Sequence, residues 1–244
     1  MTKKLIACGC SFTIDNYQNT WPNFLSEELN VELINIAARG AGLDFISKRL
    51  ITYISKNKQA DISVAVMLPS ADRFDLYVDE SSPQKIDFLN ISGWQGGKHP
   101  DLINLDGELS NDHGYCLTGG HHRGPKKYWY KHFYSETFAY INYWFNVLSI
   151  QNYLQLIDIP YFFIPAYDLD DLTENIDNKK TAVYYKEVLD LIDFDRFIFY
   201  KNNSGFLRFV KDNNFPVINN HPTAEAHQSF VRNVILPVYT KHAI

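Results

Sequence analysis

The stretch LIACGCSFTID places Ser11 just beyond an apolar run and after a Gly-Cys pair. Two other segments carry residues with chemistry to offer: Asn35-Ile-Ala-Ala-Arg-Gly-Ala-Gly42 and, near the far end, Asn219-Asn-His-Pro222. A serine hydroxyl becomes a nucleophile when a neighbouring base takes its proton. His221 is a side chain suited to that work near neutral pH. Gly9 permits a tight exit from the apolar run, and Gly40 lets a backbone approach a substrate and aim an N–H at its oxygen. Together these types point to attack on a carbonyl carbon, with Ser11 as nucleophile and His221 as its base. A lone serine at such a place is more often a turn or capping residue, so the reading depends on whether the fold gathers the segments.

The elements that would gather them are legible as periodicities. Lys4 to Cys8, Val31 to Ile36, Ile62 to Leu68, Tyr161 to Ile164 and Arg196 to Tyr200 are short runs rich in Ile, Val, Phe and Tyr, and they read as five buried parallel strands. Between them Leu43, Ile46, Leu50 and Ile54 repeat at helical steps, as do Phe138, Ile141, Phe145 and Leu148. A last helix should start after His221, with Thr223 as its cap and Phe230, Val231, Val234 and Val238 on one face. Alternating strands and helices predict an α/β, doubly wound sheet with helices on both faces. In such sheets ligands bind beyond the carboxyl ends of the strands, which is where Ser11 falls.

No internal repeat or Pro- or Ser-rich linker divides the chain, so 1–244 is expected to be one domain. A long irregular insertion, about 76–131, follows the third strand and is rich in Gly, Asn, Asp and His. It is expected to act as a lid over the sheet edge. Trp94 and Trp129 within it offer flat faces for a sugar ring or other substrate, and Arg73 just before it could bind a substrate anion or pair with Asp72 or Asp75.

Composition narrows the partners. The chain of 244 residues is 45% hydrophobic, carries a formal net charge of −5 and has no long Lys or Arg run. That pattern offers no footprint for nucleic acid or an anionic membrane. Cys8, Cys10 and Cys116 are odd in number, and two of them are too close together to staple a fold. The apolar part of MTKKLIAC is too short for a signal peptide, and no stretch approaches a membrane span. A cytoplasmic location is expected. His113, His121, His122 and His132 crowd the insertion, and His227 lies six places past His221, but none has convincing metal-ligand spacing. No metal or organic cofactor is expected.

The order of the blocks resembles the SGNH, or GDSL-like, hydrolase superfamily over nearly the whole chain. Gly9-Cys10-Ser11-Phe12-Thr13 is similar to the family's Gly-Asp-Ser nucleophile block, with cysteine in place of aspartate. Gly40 matches the glycine of the second block, and His221-Pro222 matches the C-terminal block. The resemblance implies a flavodoxin-like five-stranded sheet, an oxyanion hole using the N–H groups of Ser11 and Gly40, and hydrolysis or transfer of an acyl group on a small ester such as an acetylated carbohydrate. Two departures stand out. The family's third block supplies an oxyanion-hole asparagine, whereas Met67-Leu-Pro-Ser70-Ala-Asp72-Arg73 has none, leaving Ser70 as a substitute donor. Asn219 occupies the place of the triad aspartate, where an amide can hold the histidine tautomer but adds no charge. An inactive, glycan-binding or assembly protein on the same scaffold is the alternative in a different class.

Overall fold

The computed structural model describes residues 3–14, 18–57, 61–78, 102–110, 113–117, 130–169 and 186–242. Along the chain, β1 (Lys4–Cys8) leads through α1 (Trp21–Leu29), β2 (Glu32–Asn35) and α2 (Leu43–Lys56) to β3 (Ile62–Leu68). Four short strands follow: β4 (Asp75–Val78), β5 (Leu102–Ile103), β6 (Leu109–Ser110) and β7 (Gly114–Leu117). Then come α3 (Glu136–Leu156), β8 (Tyr161–Pro165), α4 (Phe206–Asp212), a hairpin of β9 (Val217–Ile218) and β10 (His221–Pro222), α5 (Ala224–Phe230) and α6 (Leu236–His242).

The parallel sheet has the order β2-β1-β3-β8. Its strands are apolar throughout because both faces are covered. Ile6, Cys8, Val64, Val66, Leu68 and Phe163 turn toward Phe45, Leu50, Trp144 and Val147 of α2 and α3. Their neighbours Leu5, Ala7, Ala65, Met67, Phe162 and Ile164 face Trp21, Leu25, Phe206, Phe209 and Phe230 of α1, α4 and α5. The period-2 alternation of side chains along each strand therefore feeds two separate cores. The register pairs Ala7 with both Asn35 and Ala65, and Leu68 with Pro165, so the strands end level with one another. The connection from β1 runs to β2 on one side, while β3 lies on the other. That reversal puts a crevice at the carboxyl ends of β1 and β3.

Two expectations change. Arg196 to Tyr200, read as a fifth strand, meets β8 only through a single parallel bridge of Phe197 with Phe163, with Ile198 N–H donating to Phe163 O at 2.8 Å. A 3-10 turn over Phe194–Arg196 occupies the start of that run and shortens it. The insertion is not wholly irregular, because its described residues include an antiparallel sheet of order β4-β7-β5-β6. Its strands are two to four residues long, too short for a two-residue period to register in sequence. Trp94, Trp129, His121 and His122 lie outside the described residues. Among the described residues, no helix is long and apolar enough to cross a membrane.

Asp75, the first residue of β4, ties this second sheet to the crevice. Its carboxylate accepts the N–H groups of Gly42 and Phe45, each at 2.9 Å, and so caps the N-terminus of α2 from a distant part of the chain. A Cβ at Gly42 would stand 2.8 Å from Asp75 Oδ2 and 3.0 Å from Arg73 O, so only glycine permits this approach. Burial pushes the Asp75 carboxyl up to about 6, against the pull of the two N–H donors. Removing the carboxyl in Asp75→Ala should cost about 1–3 kcal/mol, since two N–H groups lose their acceptor. The folded-state value lies above that of an unfolded carboxyl, so the protonated form favours the fold. Wild type should therefore gain stability relative to Asp75→Asn as the pH falls through about 6, read as urea midpoints on either side of that value. A constant difference between the two proteins would contradict the assignment.

Candidate active site

After β1 the chain coils at once: Cys10 O accepts from Thr13 N at 2.9 Å and from Ile14 N at 3.3 Å. Gly9 makes the coil possible, because a Cβ there would lie 2.4 Å from Thr13 Oγ1 and 3.0 Å from Met67 O. Thr13 is wholly buried and anchors the turn. Its carbonyl accepts from Thr20 Oγ1 at 2.8 Å and from Asn35 Nδ2 at 2.7 Å, and its hydroxyl accepts from Trp21 Nε1 at 3.2 Å. Cys10 and Phe12 are buried beside it, whereas Ser11 and Ile14 stay half-buried, so Ser11 carries the turn's one hydroxyl that reaches solvent. Cysteine at position 10 is thus a small apolar side chain packed under the turn.

The second segment is laid against the first by main-chain bonds. Ile36 N donates to Ala7 O at 2.8 Å and Ala38 N to Gly9 O at 3.1 Å, extending the β1–β2 ladder past the end of β2. Asn35 bridges the two loops, since its amide oxygen also accepts Ala37 N at 3.1 Å. The loop then turns at Gly40, whose φ of 71° lies in the left-handed region that favours glycine.

His221 arrives on the β9–β10 hairpin. The register pairs Ile218 with His221, and the two linking residues, Asn219 and Asn220, have φ of 50° and 63°. Positive φ at both positions is the requirement of a type I′ turn, which Asn tolerates well. The imidazole packs edge-on against Phe12 with ring centroids 5.5 Å apart, which brings the histidine segment to the residue next to Ser11. Its Nδ1 lies 2.8 Å from the main-chain oxygen of Asn219. A carbonyl only accepts, so Nδ1 carries the proton and Nε2 of the neutral ring presents a lone pair. The sequence suggests the Asn219 side-chain amide for this task, but in the structure the main-chain carbonyl takes it. Among the described residues, no hydrogen bond joins Ser11 Oγ to the imidazole. Resting sites of this kind are often loose.

Gln18 holds the two segments together and was invisible in sequence. Its Nε2 donates to Pro222 O at 2.7 Å, and its Oε1 accepts Ala224 N at 3.1 Å. The second bond caps α5, whose N-cap residue Thr223 makes no side-chain capping bond. Gln18 sits in the polar run Asn16-Tyr-Gln-Asn19, which carries no periodic or motif signal.

The segment after β3 completes the surroundings. Ser70, expected as an oxyanion donor, gives its hydroxyl to Asp72 Oδ1. Arg73 reaches the other way, donating from Nη1 to Ala41 O at 3.3 Å and from Nη2 to Tyr167 OH at 3.4 Å. Tyr167 stacks on Phe12 with centroids 6.2 Å apart, so the guanidinium borders both the Ser11 turn and the Gly40 loop. A shallow open cleft lies between Ser70–Phe74 and the start of α3, lined by Asp44, Ser70, Arg73, Tyr134, Phe138 and Asn142. Neither Ser11 nor His221 is on its wall.

His227 is a core residue: it is 1% exposed, its ring lies 4.7 Å from that of Phe206, and burial with nearby His221 lowers its pKa to about 3. Cys8 is buried with its thiol pushed up to about 12, and all three cysteines are free. Among the described residues, no three His, Cys, Asp or Glu side chains are grouped to hold a metal.

Comparison with known proteins gives a family and a set of distant structural likenesses. The model of a family of unknown function, DUF6071, matches residues 12–242. No curated protein matches the chain in sequence. The solved structure of AlinE4, an SGNH-hydrolase family esterase, is 13% identical, with 100% of this chain and 97% of that one covered and a TM-score of 0.46. The lipase/acylhydrolase from Enterococcus faecalis is 11% identical over 99% of this chain and 96% of its own, with a TM-score of 0.43. Likeness at this level bears on neither activity nor substrate.

The clamp made by Gln18 can be tested alone. Gln18→Leu should cost about 1–3 kcal/mol in urea unfolding, because the Pro222 carbonyl and the Ala224 N–H both lose their partners. Hydrogen exchange of the Ala224 amide should quicken locally more than that of the β3 amides. Unchanged exchange at Ala224 would show that the clamp does not hold the hairpin.

Proposed function

Because the chain belongs to the DUF6071 family, whose function is unknown, its activity has to come from its own residues, and we propose that it is a serine hydrolase acting on acyl esters. The observation that carries this reading is His221 packed on Phe12 with its Nδ1 proton held by Asn219 O, which turns the imidazole into a base beside the turn that carries half-buried Ser11. The SGNH resemblance of the Gly9–Thr13, Gly40 and His221-Pro222 segments supports it, as does the doubly wound arrangement that ends β1 and β3 at a common crevice.

In this reading Ser11 Oγ attacks the ester carbonyl while Nε2 of His221 takes its proton. The carbonyl oxygen becomes an oxyanion facing the N–H groups of Ser11 and Gly40. As the tetrahedral adduct collapses, the carbon–alkoxide bond breaks and His221 returns the proton to the leaving alcohol. Water then attacks the acyl–Ser11 ester, again deprotonated by His221, and the acid leaves as the Oγ–carbon bond breaks and His221 returns that proton to Ser11 Oγ. An acceptor alcohol in place of that water would make the protein an acyltransferase through the same steps. Ser70 is left out of the oxyanion hole because its hydroxyl serves Asp72. Asn219 acts through its carbonyl, which orients the ring but adds no full charge to stabilise the imidazolium.

Hydrolysis of p-nitrophenyl acetate tests the assignment. Ser11→Ala and His221→Ala should each lower kcat by about 10³ to 10⁶, and by no more when combined, because members of such a pair act as a unit. Asn219→Gly keeps both the positive φ and the carbonyl, so its kcat should stay within a few-fold of wild type. A large loss in Asn219→Gly would mean that the amide side chain, not the main chain, supports His221. A folded wild type with no ester turnover would favour an inactive scaffold that binds rather than cleaves.

A further inference from the structure

Arg73 is a half-buried cation beside the Ser11 turn that makes no direct ion pair among the described residues, and Asp72 and Asp75 act on it only through space. Both of its hydrogen bonds go to neutral oxygens, Ala41 O and Tyr167 OH, and both are long at 3.3 and 3.4 Å. A guanidinium has five N–H donors in a planar fork, so most of its capacity is left over. The nearest acidic residues in sequence hydrogen-bond other groups and reach the guanidinium only through space. Asp72 receives the Ser70 hydroxyl, and Asp75 receives the Gly42 and Phe45 amides.

The position of the fork is as telling as its partners. Ala41 follows Gly40, and Tyr167 stacks on Phe12, which in turn touches His221. The guanidinium is thus framed by the two loops that flank the nucleophile. Burial works against its charge, while the neighbouring Cys10, Tyr167 and Asp72 favour it strongly enough to raise its pKa, so Arg73 is cationic at every working pH. A desolvated cation with a vacant fork is matched best by a carboxylate or phosphate, which it can grip in bidentate fashion.

From this placement we infer that Arg73 is the specificity-determining residue of the site, and that the esters it selects carry a carboxylate or phosphate close to the scissile bond. The inference rests on Ser11 being the nucleophile. It narrows the substrate class from small esters in general to acidic ones. Arg73 would grip the anion in the ground state and the transition state alike, which lowers KM more than it raises kcat.

The test compares esters that differ in one charge. On the acyl side, mono-p-nitrophenyl succinate is set against p-nitrophenyl succinamate. On the alcohol side, 3-acetoxybenzoate and 3-acetoxyphenyl phosphate are set against 3-acetoxybenzamide. Wild type should prefer the charged member of at least one pair by about 10- to 100-fold in kcat/KM, the range expected of hydrogen bonds to a charged group. The pair that responds identifies which side of the ester bears the anion and whether it is a carboxylate or a phosphate. Arg73→Met should bring that ratio close to one, mainly through KM, and Arg73→Lys, which keeps the charge and loses the fork, should retain part of it. Arg73→Lys carries the test if the methionine variant does not fold. No preference in any pair, or a wild-type ratio preserved in a folded Arg73→Met or undiminished in Arg73→Lys, would overturn the inference. Labelling of Ser11 by an uncharged fluorophosphonate, run in parallel, separates the two claims. A labelled enzyme indifferent to charge loses only the role given to Arg73, whereas an unlabelled one loses the Ser11 reading and this inference with it.

Discussion

Two oxygens of one buried residue hold the crevice in shape. Thr13 takes buried hydrogen bonds from Thr20 and Trp21 at the start of α1 and a partly buried one from Asn35 at the end of β2. Inside a protein each such bond is stronger than in water and costly to leave unmade. The turn that carries Ser11 is therefore not a free loop. It is fixed between the first strand, the helix that follows and the second strand, and Ser11 is held open to solvent because Cys10, Phe12 and Thr13 are all drawn inward.

The remaining pieces attach to this turn by contacts of different kinds. The Gln18 side chain bonds the main chain of the terminal hairpin and of the start of α5, and Phe12 packs at right angles to the imidazole. Arg73 reaches in from the end of β3, and Asp75 fastens the second sheet to the start of α2. The electrostatics follow from these attachments. Among the described residues His221 is oriented by a carbonyl and not by a carboxylate, while the Arg73 cation reaches Ala41 and Tyr167 beside the same turn.

Much of this was legible in the chain. The apolar runs of β1, β3 and β8 and the helical spacing of Leu43, Ile46, Leu50 and Ile54 announce buried strands and an amphipathic helix because burial on two faces or one leaves that mark. Gly9, Ser11, Gly40 and His221 stood out by type and place. What stayed hidden depends on contacts between residues far apart in sequence. Gln18 meets Pro222 across 204 positions, and no local pattern encodes that. Asn219 reads as a triad substitute until the positive φ values of Asn219 and Asn220 identify a hairpin turn, where asparagine suits the backbone geometry. Ser70 looked like a donor to the crevice because its hydroxyl could point either way, and Asp72 decides the direction.

The central claim is that the fold makes the Ser11 hydroxyl nucleophilic by placing His221 beside it. Reaction with a fluorophosphonate, followed by peptide mapping, tests this most directly because the reagent needs an activated hydroxyl and no particular substrate. The account predicts a single adduct on Ser11 in wild type, forming far more slowly in a folded His221→Gln protein. An adduct on another residue, or the same rate of Ser11 labelling with and without His221, would contradict it.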